Sequence, residues 1–585
     1  MKEGHALKYL QNYNPVGNFW LSVIIAAVPI LTLLYFLALH PHKAKNGQKL
    51  LGIYAPYAAA IAALVALLVC LFVMKMPTTT TGAAFGLGVI SGLFPIGWII
   101  FGAIFLYIMT VVTGKFEIVK DSIAGITADR RLQALLVAFC FGAFIEGASG
   151  FGTPVAVAGA IMVGLGFRPL TAAVICLIAN TAPVAWGAIG TPVLTLAKVT
   201  GLPDGLITQM AGRQLPFFSI IIPFWLVATL VLMEKGKWKD VWEVWPAILV
   251  TGVSFATAQF LMAQWQQTGL VDILAGMFSI IVTSLFLRVY TPKRILTNEM
   301  AYAVADGREA GEAKVIPKHG HSWPVMLQAW APWAFLAIFV TLWGVPSVKT
   351  FLDGLFAPSF AVPYLDGVVF TTAPVSPTAV AKTGTAAVYT FNLITSAGTG
   401  ILIAAFITGT IFLKVSLAQW KEILVTTVVR LKIPITVIAL VFGLSYVTRY
   451  AGTDAILALA FVKTGSVYPF FAVMVGWLGV FLTGSDTASN SLFGNLQQIT
   501  AKQLGLNPLL IVTANSTGGV MGKMIDPQSI TVATTVCYKD PEEGINAVGI
   551  IFRKVFWHSV VLAILMGILV YLQAYVFTWM IPAMK

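Results

Sequence analysis

Glu146–Pro154, EGASGFGTP, sets one carboxylate, three glycines, the hydroxyls of Ser149 and Thr153 and a proline inside an otherwise apolar stretch. A continuous membrane helix has no use for so much backbone freedom. A second interruption of the same kind stands at Thr483–Ser491, TGSDTASNS. Each belongs to an F-x-x-G motif, at Phe144 and at Phe481, and each is followed by L-G-x-x-P-L and then by A-N-[TS]. Asn180 precedes Pro192 by twelve positions, and Asn515 precedes Pro527 by the same twelve. Punctuation shared in this order reads as an internal repeat rather than as chance likeness between greasy segments.

The surrounding composition decides the class. Of the 585 residues, 58% are hydrophobic and 10% charged, with mean hydropathy +0.88. A soluble domain carries about 25% charged residues, so the chain reads as a polytopic protein of the lipid bilayer. The net charge of +13 fits basic cytoplasmic loops. No basic arm or nucleic-acid fold is present, so no nucleic-acid partner is expected. Cys70, Cys140, Cys176 and Cys537 lie in or beside apolar runs. Their spacing suits neither a metal clip nor a disulfide framework, and they read as small packing residues. The first apolar run, Phe19 to Leu39, lacks a cleavage pattern and reads as a retained helix.

Apolar runs begin at Phe19, Ile53, Leu93, Leu215, Trp245, Val271, Ala329, Leu393, Ile423 and Val555. With the two irregular zones they predict about 12 to 14 crossings at roughly 20 residues each. The implied division is 1–131 scaffold-like spans, 132–200 the first repeat, 201–287 spans, 288–328 a hydrophilic loop, 329–469 spans, 470–538 the second repeat and 539–585 a C-terminal span. His40–Lys49, Arg288–His321 and Lys414–Lys432 are basic connectors, placed in the cytoplasm by the positive-inside rule. Arg168 reads as a loop charge, and Arg213 and Arg449 as side chains snorkelling to the interface.

Paired broken segments point to a secondary transporter, whose repeats meet at the midplane in discontinuous helices. Irregular backbone survives in a membrane only inside protein or beside water, and exposed helix N-termini attract anions. The expected fold is therefore an all-α polytopic membrane protein with re-entrant hairpins and broken helices. The first hairpin runs Leu132–Ile145, tip EGASGFG, Pro154–Leu165; its counterpart runs Phe470–Leu482, tip TGSDTASN, Ser491–Leu504. A single kinked span is the other reading of each. The broken helices are Leu170–Ala179, interrupted at ANTAP, and Pro508–Ala514, interrupted at ANSTGG.

Glu146 and Asp486 are the acids inside the zones. Burial in lipid penalises an ionised carboxylate, which suits either of them to carry a proton, although an acid can also simply tie a tip together. Ser149, Thr153, Asn180, Thr181, Ser485, Thr487, Ser489, Asn490, Asn515, Ser516 and Thr517 can bond a carboxylate and a neighbouring hydroxyl, or can serve as glue between helices. Lys523 either meets the substrate or neutralises Asp526 three residues on. His558 either relays protons or is held by a hydrogen bond at the interface. GASGFG lacks the Lys-Ser/Thr ending of a phosphate loop, and the Gly-x-Ser-x-Gly spelling lacks a strand–turn–helix setting. No cofactor, metal site or enzymatic activity is expected.

The segments FCFGAFIEGASGFGTPVA, LGFRPL, CLIANTAPVAWGAIG, GRQLPF, PYLDG, GWLGVFLTGSDTASN, ANSTGGVMGKMIDPQSI and LQAYVFTWMIP resemble the bacterial L-lactate permease family, which includes glycolate permeases. The likeness runs from Gln11 to the C-terminus. It implies an inner-membrane symporter that takes up L-lactate, glycolate and D-lactate with protons. It also implies the inverted repeats of a wider ion-transporter group, often dimeric, so that a homodimer is expected. One departure stands out: Thr483 occupies the repeat position of Glu146, and Ser149 that of Asp486. The two halves carry their acid on different turns, and which of them couples protons stays open. The rival readings are a sodium-coupled carrier, a membrane-embedded enzyme and a passive anion channel.

Overall fold

The structure, a computed structural model, describes residues 8–36, 40–43, 49–51, 53, 55–124, 126–150, 152–297, 321–376 and 378–583. Helices dominate it, since a helix satisfies its own backbone groups where lipid offers no partner. Among the described residues, nine helices are long and apolar enough to cross a bilayer, or up to eleven when two sharply bent pairs are counted as spans. This is fewer than the length rule predicts, in part because the runs at Phe19 and Leu393 form the shorter helices Phe19–Leu34 and Ala397–Phe412. Leu93 falls at a kink, where Phe94 leaves the helical conformation within Thr78–Val112, and Val555 falls in the middle of the last helix.

Other expectations change in detail. The Lys414–Lys432 connector is mostly helical, because Leu417–Ala451 is one continuous helix capped by Ser416. Most of the hydrophilic loop at 288–328 and the middle of His40–Lys49 lie outside the described residues. Between the helices Pro346–Leu355 and Ala397–Ile407 the described residues are not helical, and Ser359–Ala361 pairs antiparallel with Val388–Thr390. Tyr9–Leu10 pairs in parallel with Val369–Phe370, fastening the N-terminal segment to that region. Arg213 Nη1 donates to Met580 O at 2.9 Å, and Arg449 Nη1 donates to Val199 O at 2.7 Å.

Apolar side chains cover much of the outside, among them Trp20, Phe72, Trp265, Val289 and Trp557, as a lipid-facing surface requires. The inside is the reverse. Arg130–Ser149 is buried along its whole length, so its polar C-terminal turn is walled in by protein.

That helix ends at a turn of Gly150 and Gly152, with φ of +57° and +76°, before the helix Thr153–Gly164. Glycine is needed here because other residues rarely hold such angles. In the second zone Tyr468–Thr483 ends at Gly484, φ +71°, and Asp486–Gln503 begins at once. Both tips are narrower than the sequence suggests. Ser149 Oγ bonds back to Ile145 O at 3.0 Å, and Ser485 Oγ accepts from the Ala488 N–H at 3.2 Å, so the polar residues complete the helices instead of leaving them.

The L-G-x-x-P-L motifs behave alike. Gly166 and Gly505 take φ of +91° and +67°, and Pro169 and Pro508 open the next helices, where the missing N–H has no partner to lose. After that the halves diverge. Pro169–Ala179 stops, and Val184–Thr200 leaves at an angle of 69°. Ala188 and Ile189 hold left-handed φ of +45° and +60° there, uncommon for residues with a Cβ.

The corresponding break at ANSTGG does not occur: Pro508–Gly522 runs straight through it. Asn515 has its partners inside the protein, donating to Asn490 Oδ1 at 2.9 Å and accepting from Gln497 Nε2 at 3.1 Å. Gly518 and Gly522 lie against the backbone of Val473 and Trp477, where a Cβ would collide. Those glycines serve close helix packing. The interruption comes later, at the tight turn Lys523–Ile525 before Pro527.

Candidate functional site

Both zones open onto one cavity. Glu146, Gly150 and Gly187 line it from the first zone, Ser485, Asp486, Thr487 and Lys523 from the second, and the long helix closes it with Pro434, Val437 and Val441. The last turn of Arg130–Ser149 brings Glu146 there, and the first turn of Asp486–Gln503 brings Asp486.

Lys523 is fastened within the second zone and faces the cavity. Its Nζ donates to Gly484 O at 2.7 Å and lies 3.1 Å from Asp526 Oδ2. The same ammonium stands in the electrostatic field of Glu146 and of Asp486. The two sequence readings of Lys523 therefore meet, since it pairs with Asp526 and also faces the cavity. Glu146 is 4% exposed, Asp486 3% and Asp526 0%. With all three ionised, one cation would face three anions in a dry interior. Breaking the balance of buried charge costs about 3–5 kcal/mol per unpaired group, so the site calls for added positive charge.

Hydrogen bonding is incomplete in both zones. In the second, Asp486 Oδ1, Ser491 Oγ, Thr513 Oγ1 and Ser529 Oγ are buried without a partner among the described residues, while other groups are paired. Ser516 Oγ donates to Asp486 Oδ2 at 2.6 Å, Asn490 Nδ2 to Pro192 O at 3.1 Å, and Thr517 Oγ1 to Gln214 Oε1 at 2.8 Å. Asn490, Asn515 and Ser516 thus form a bonded layer behind the cavity wall. In the first zone partners are missing too. Both polar atoms of the Asn180 side chain, Thr181 Oγ1 and Glu146 Oε2 are buried without a hydrogen bond among the described residues. Asn180 caps the helix Pro169–Ala179 and stands beside the Glu146 carboxylate. Buried polar atoms are normally satisfied, and these stand together at the break after Ala179.

Three expected site residues are elsewhere. Ser149 is spent on its own helix. Thr153 Oγ1 accepts from Arg430 Nη2 at 2.9 Å. His558 Nδ1 accepts from Trp225 Nε1 at 2.7 Å, outside the cavity lining. Sequence reasoning missed Arg430, counted as a loop charge, and Asp272, which reads as the polar flank of an apolar run. A lone acid one residue inside a predicted span was the available signal for Asp272.

A polytopic helical chain that encloses acids and a cation at a helix break belongs to the class of membrane transporters. The comparisons give the particular family. The model of the L-lactate permease family matches residues 22–577, and the chain belongs to that family. It is 43% identical to the glycolate permease GlcA of Escherichia coli (strain K12) over 98% of this chain and 99% of that one. It is 43% identical to an L-lactate permease of Salmonella typhimurium, with 98% and 99% covered, and 42% identical to that of Bacillus subtilis, with 98% and 100% covered. These relatives are permeases and not enzymes. The chain is thus a multi-pass membrane transporter of small organic anions.

Proposed function

We infer that the chain takes up L-lactate and related 2-hydroxymonocarboxylates, glycolate and D-lactate among them, by proton symport across the bacterial inner membrane. The observation that carries this reading is the shared cavity of Glu146 and Asp486, with Lys523 as the cation between them. The excess negative charge is relieved when a proton binds. The loaded carrier then moves fewer uncompensated charges through a medium of low dielectric.

The substrate carboxylate sits opposite Lys523, at the N-terminal turn of Asp486–Gln503, whose free N–H groups favour an anion once Asp486 is neutral. In this reading Thr487, from the cavity lining, and Asn180, beside Glu146, bond the 2-hydroxyl. The two zones act as re-entrant hairpins of an inverted repeat. Together, 132–200 and 470–538 form the transport unit against a scaffold from the remaining spans, and the chain works as a homodimer. The common order of Gly-turn, L-G-x-x-P-L and Pro-opened helix in both zones supports this arrangement.

The test is uptake of labelled L-lactate by the purified chain in proteoliposomes. Accumulation under an inward proton gradient without sodium is expected. Accumulation that needs a sodium gradient and ignores pH would replace the proton by Na⁺, and non-saturable flux insensitive to a protonophore would make the chain a channel.

A further inference from the structure

Asp272 lies behind Glu146, on the far side of Gly147. A Cβ at Gly147 would come within 2.7 Å of Ile273 N and 3.0 Å of the Asp272 side chain, so the two acid-bearing helices touch there. Asp272 is 1% exposed and opens the helix Val271–Val289. One of its oxygens, Oδ1, accepts from Gln259 Nε2 at 3.3 Å. The other, Oδ2, has no hydrogen-bond partner among the described residues, and neither has Glu146 Oε2. The two carboxylates stand in each other's field.

The same Gln259 amide donates to Ala182 O at 3.3 Å, while its oxygen accepts from Ser219 at 2.7 Å. The backbone of Trp186 also faces Asp272. Asp272 and Gln259 therefore hold the segment between Ala179 and Gly187, which carries Asn180 and Thr181. Asp272 is thus both next to a cavity carboxylate and fastened to the break.

Buried carboxylates on two helices in contact, each in the other's field, cannot both ionise without cost, so protonation of one is linked to that of the other. We propose that Asp272 is a second acid of the coupling site, sharing a proton with Glu146 behind the cavity and linking that proton to the break at Ala182. This rests on the proton-symport reading. The proton adds to one carboxylate oxygen of the pair and leaves from the pair, so its charge changes by one and nothing is oxidised or reduced. The groups around Asp272 are few. Glu146 faces it from Gly142–Ser149, neutral Gln259 from Trp245–Gln264, and backbone from Val184–Trp186. Lys523 and Asp526 act on Glu146 from the other side. The Cys140 thiol bonds Ser279, two turns along the helix of Asp272.

The experiment follows lactate-dependent proton flux with an internal pH dye, and labelled L-lactate uptake across pH, in proteoliposomes of the full chain. Asp272→Asn removes the negative neighbour, so the pH midpoint of uptake should move by about one unit or more toward acid, and Asp272→Glu should keep it near the parent's. Gln259→Leu removes the donor that favours the ionised pair and should move the midpoint toward alkali. A purely structural role would lower uptake at every pH without moving either midpoint, and that result overturns the proposal. If Asp272→Asn does not fold, the sign of the Gln259→Leu shift decides. A parent that shows no lactate-dependent proton flux sinks the symport reading itself. A parent with normal flux and unmoved variants sinks only the role of Asp272.

Discussion

Ser516 Oγ donates to Asp486 Oδ2 across 2.6 Å, which ties the acid at the head of one helix to the straight helix that carries Asn515. A hydroxyl bonded to a charged group is worth about 1.5–3 kcal/mol. Ser516→Ala should therefore reduce the initial rate of L-lactate uptake by about tenfold, and Ser516→Thr should keep most of it. Parental rates in the alanine variant, measured at equal protein per vesicle, would show that the bond has no part in transport.

The two acids should not be equivalent. Each has one oxygen without a hydrogen-bond partner among the described residues, but the other oxygen of Asp486 is held by Ser516, whereas Glu146 stands beside Asn180. Glu146→Gln is isosteric and cannot exchange a proton. It should abolish accumulation driven by a pH gradient while leaving exchange of internal for external lactate measurable. Asp486→Asn can still accept from Ser516 through its amide oxygen, so it should lower uptake with less loss of folding stability than Ser516→Ala. Gradient-driven accumulation that survives in both variants would remove these acids from coupling.

Much of the fold and of the site is legible in the order of residues alone. The paired punctuation around Glu146 and Asp486 locates both zones, because glycine and proline mark turns by steric rules that hold in any environment. The class follows from composition for the same kind of reason. Where polar groups find their partners is not legible in that way. ANTAP and ANSTGG look alike, yet Asn515 is satisfied by Gln497 and Asn490 while Asn180 is not. That difference depends on a helix brought in from elsewhere, and so one helix breaks while the other runs on. Arg430 and Asp272 are hidden for a related reason: a charge near a span end has the same local sequence whether it meets water or a buried partner.

Lys523 carries the most concentrated electrostatic role. Lys523→Met would leave Asp526 unpaired in a fully buried position and remove the cation facing Glu146 and Asp486. Breaking a buried pair from one side costs about 3–5 kcal/mol. The variant should lose uptake and unfold at lower temperature in detergent. Adding Asp526→Asn should recover part of the stability but not the uptake. Full additivity of the two stability losses in a double-mutant cycle would mean that the pair is not coupled.

Arg430 Nη2 bonds Thr153 Oγ1 at 2.9 Å, and its guanidinium lies 5.3 Å from the centre of the Tyr107 ring. The contact links the long helix that closes the cavity to the helix after the first glycine turn. Arg430→Gln and Thr153→Val should each slow uptake, and together they should slow it no further than the stronger of the two. Additive effects on the initial rate would show that the residues act separately.

Glycine substitutions separate the site from its surroundings most cleanly. A Cβ at Gly187 would run into the Glu146 carboxylate, and one at Gly519 into that of Asp486. Neither position needs a left-handed φ, so the backbone itself tolerates alanine; at Gly187 only the acid must move, and at Gly519 the acid and the Val480 side chain. At Gly164, also helical, an added Cβ would meet nothing within 4 Å. Alanine is a better helix former than glycine by up to about 1 kcal/mol. Gly164→Ala should therefore transport normally and melt no lower than the parent. Gly187→Ala and Gly519→Ala should fold, as judged by size exclusion, but lose most lactate uptake because each displaces a carboxylate from the cavity. Equal uptake in all three variants would mean that the positions of Glu146 and Asp486 do not govern transport.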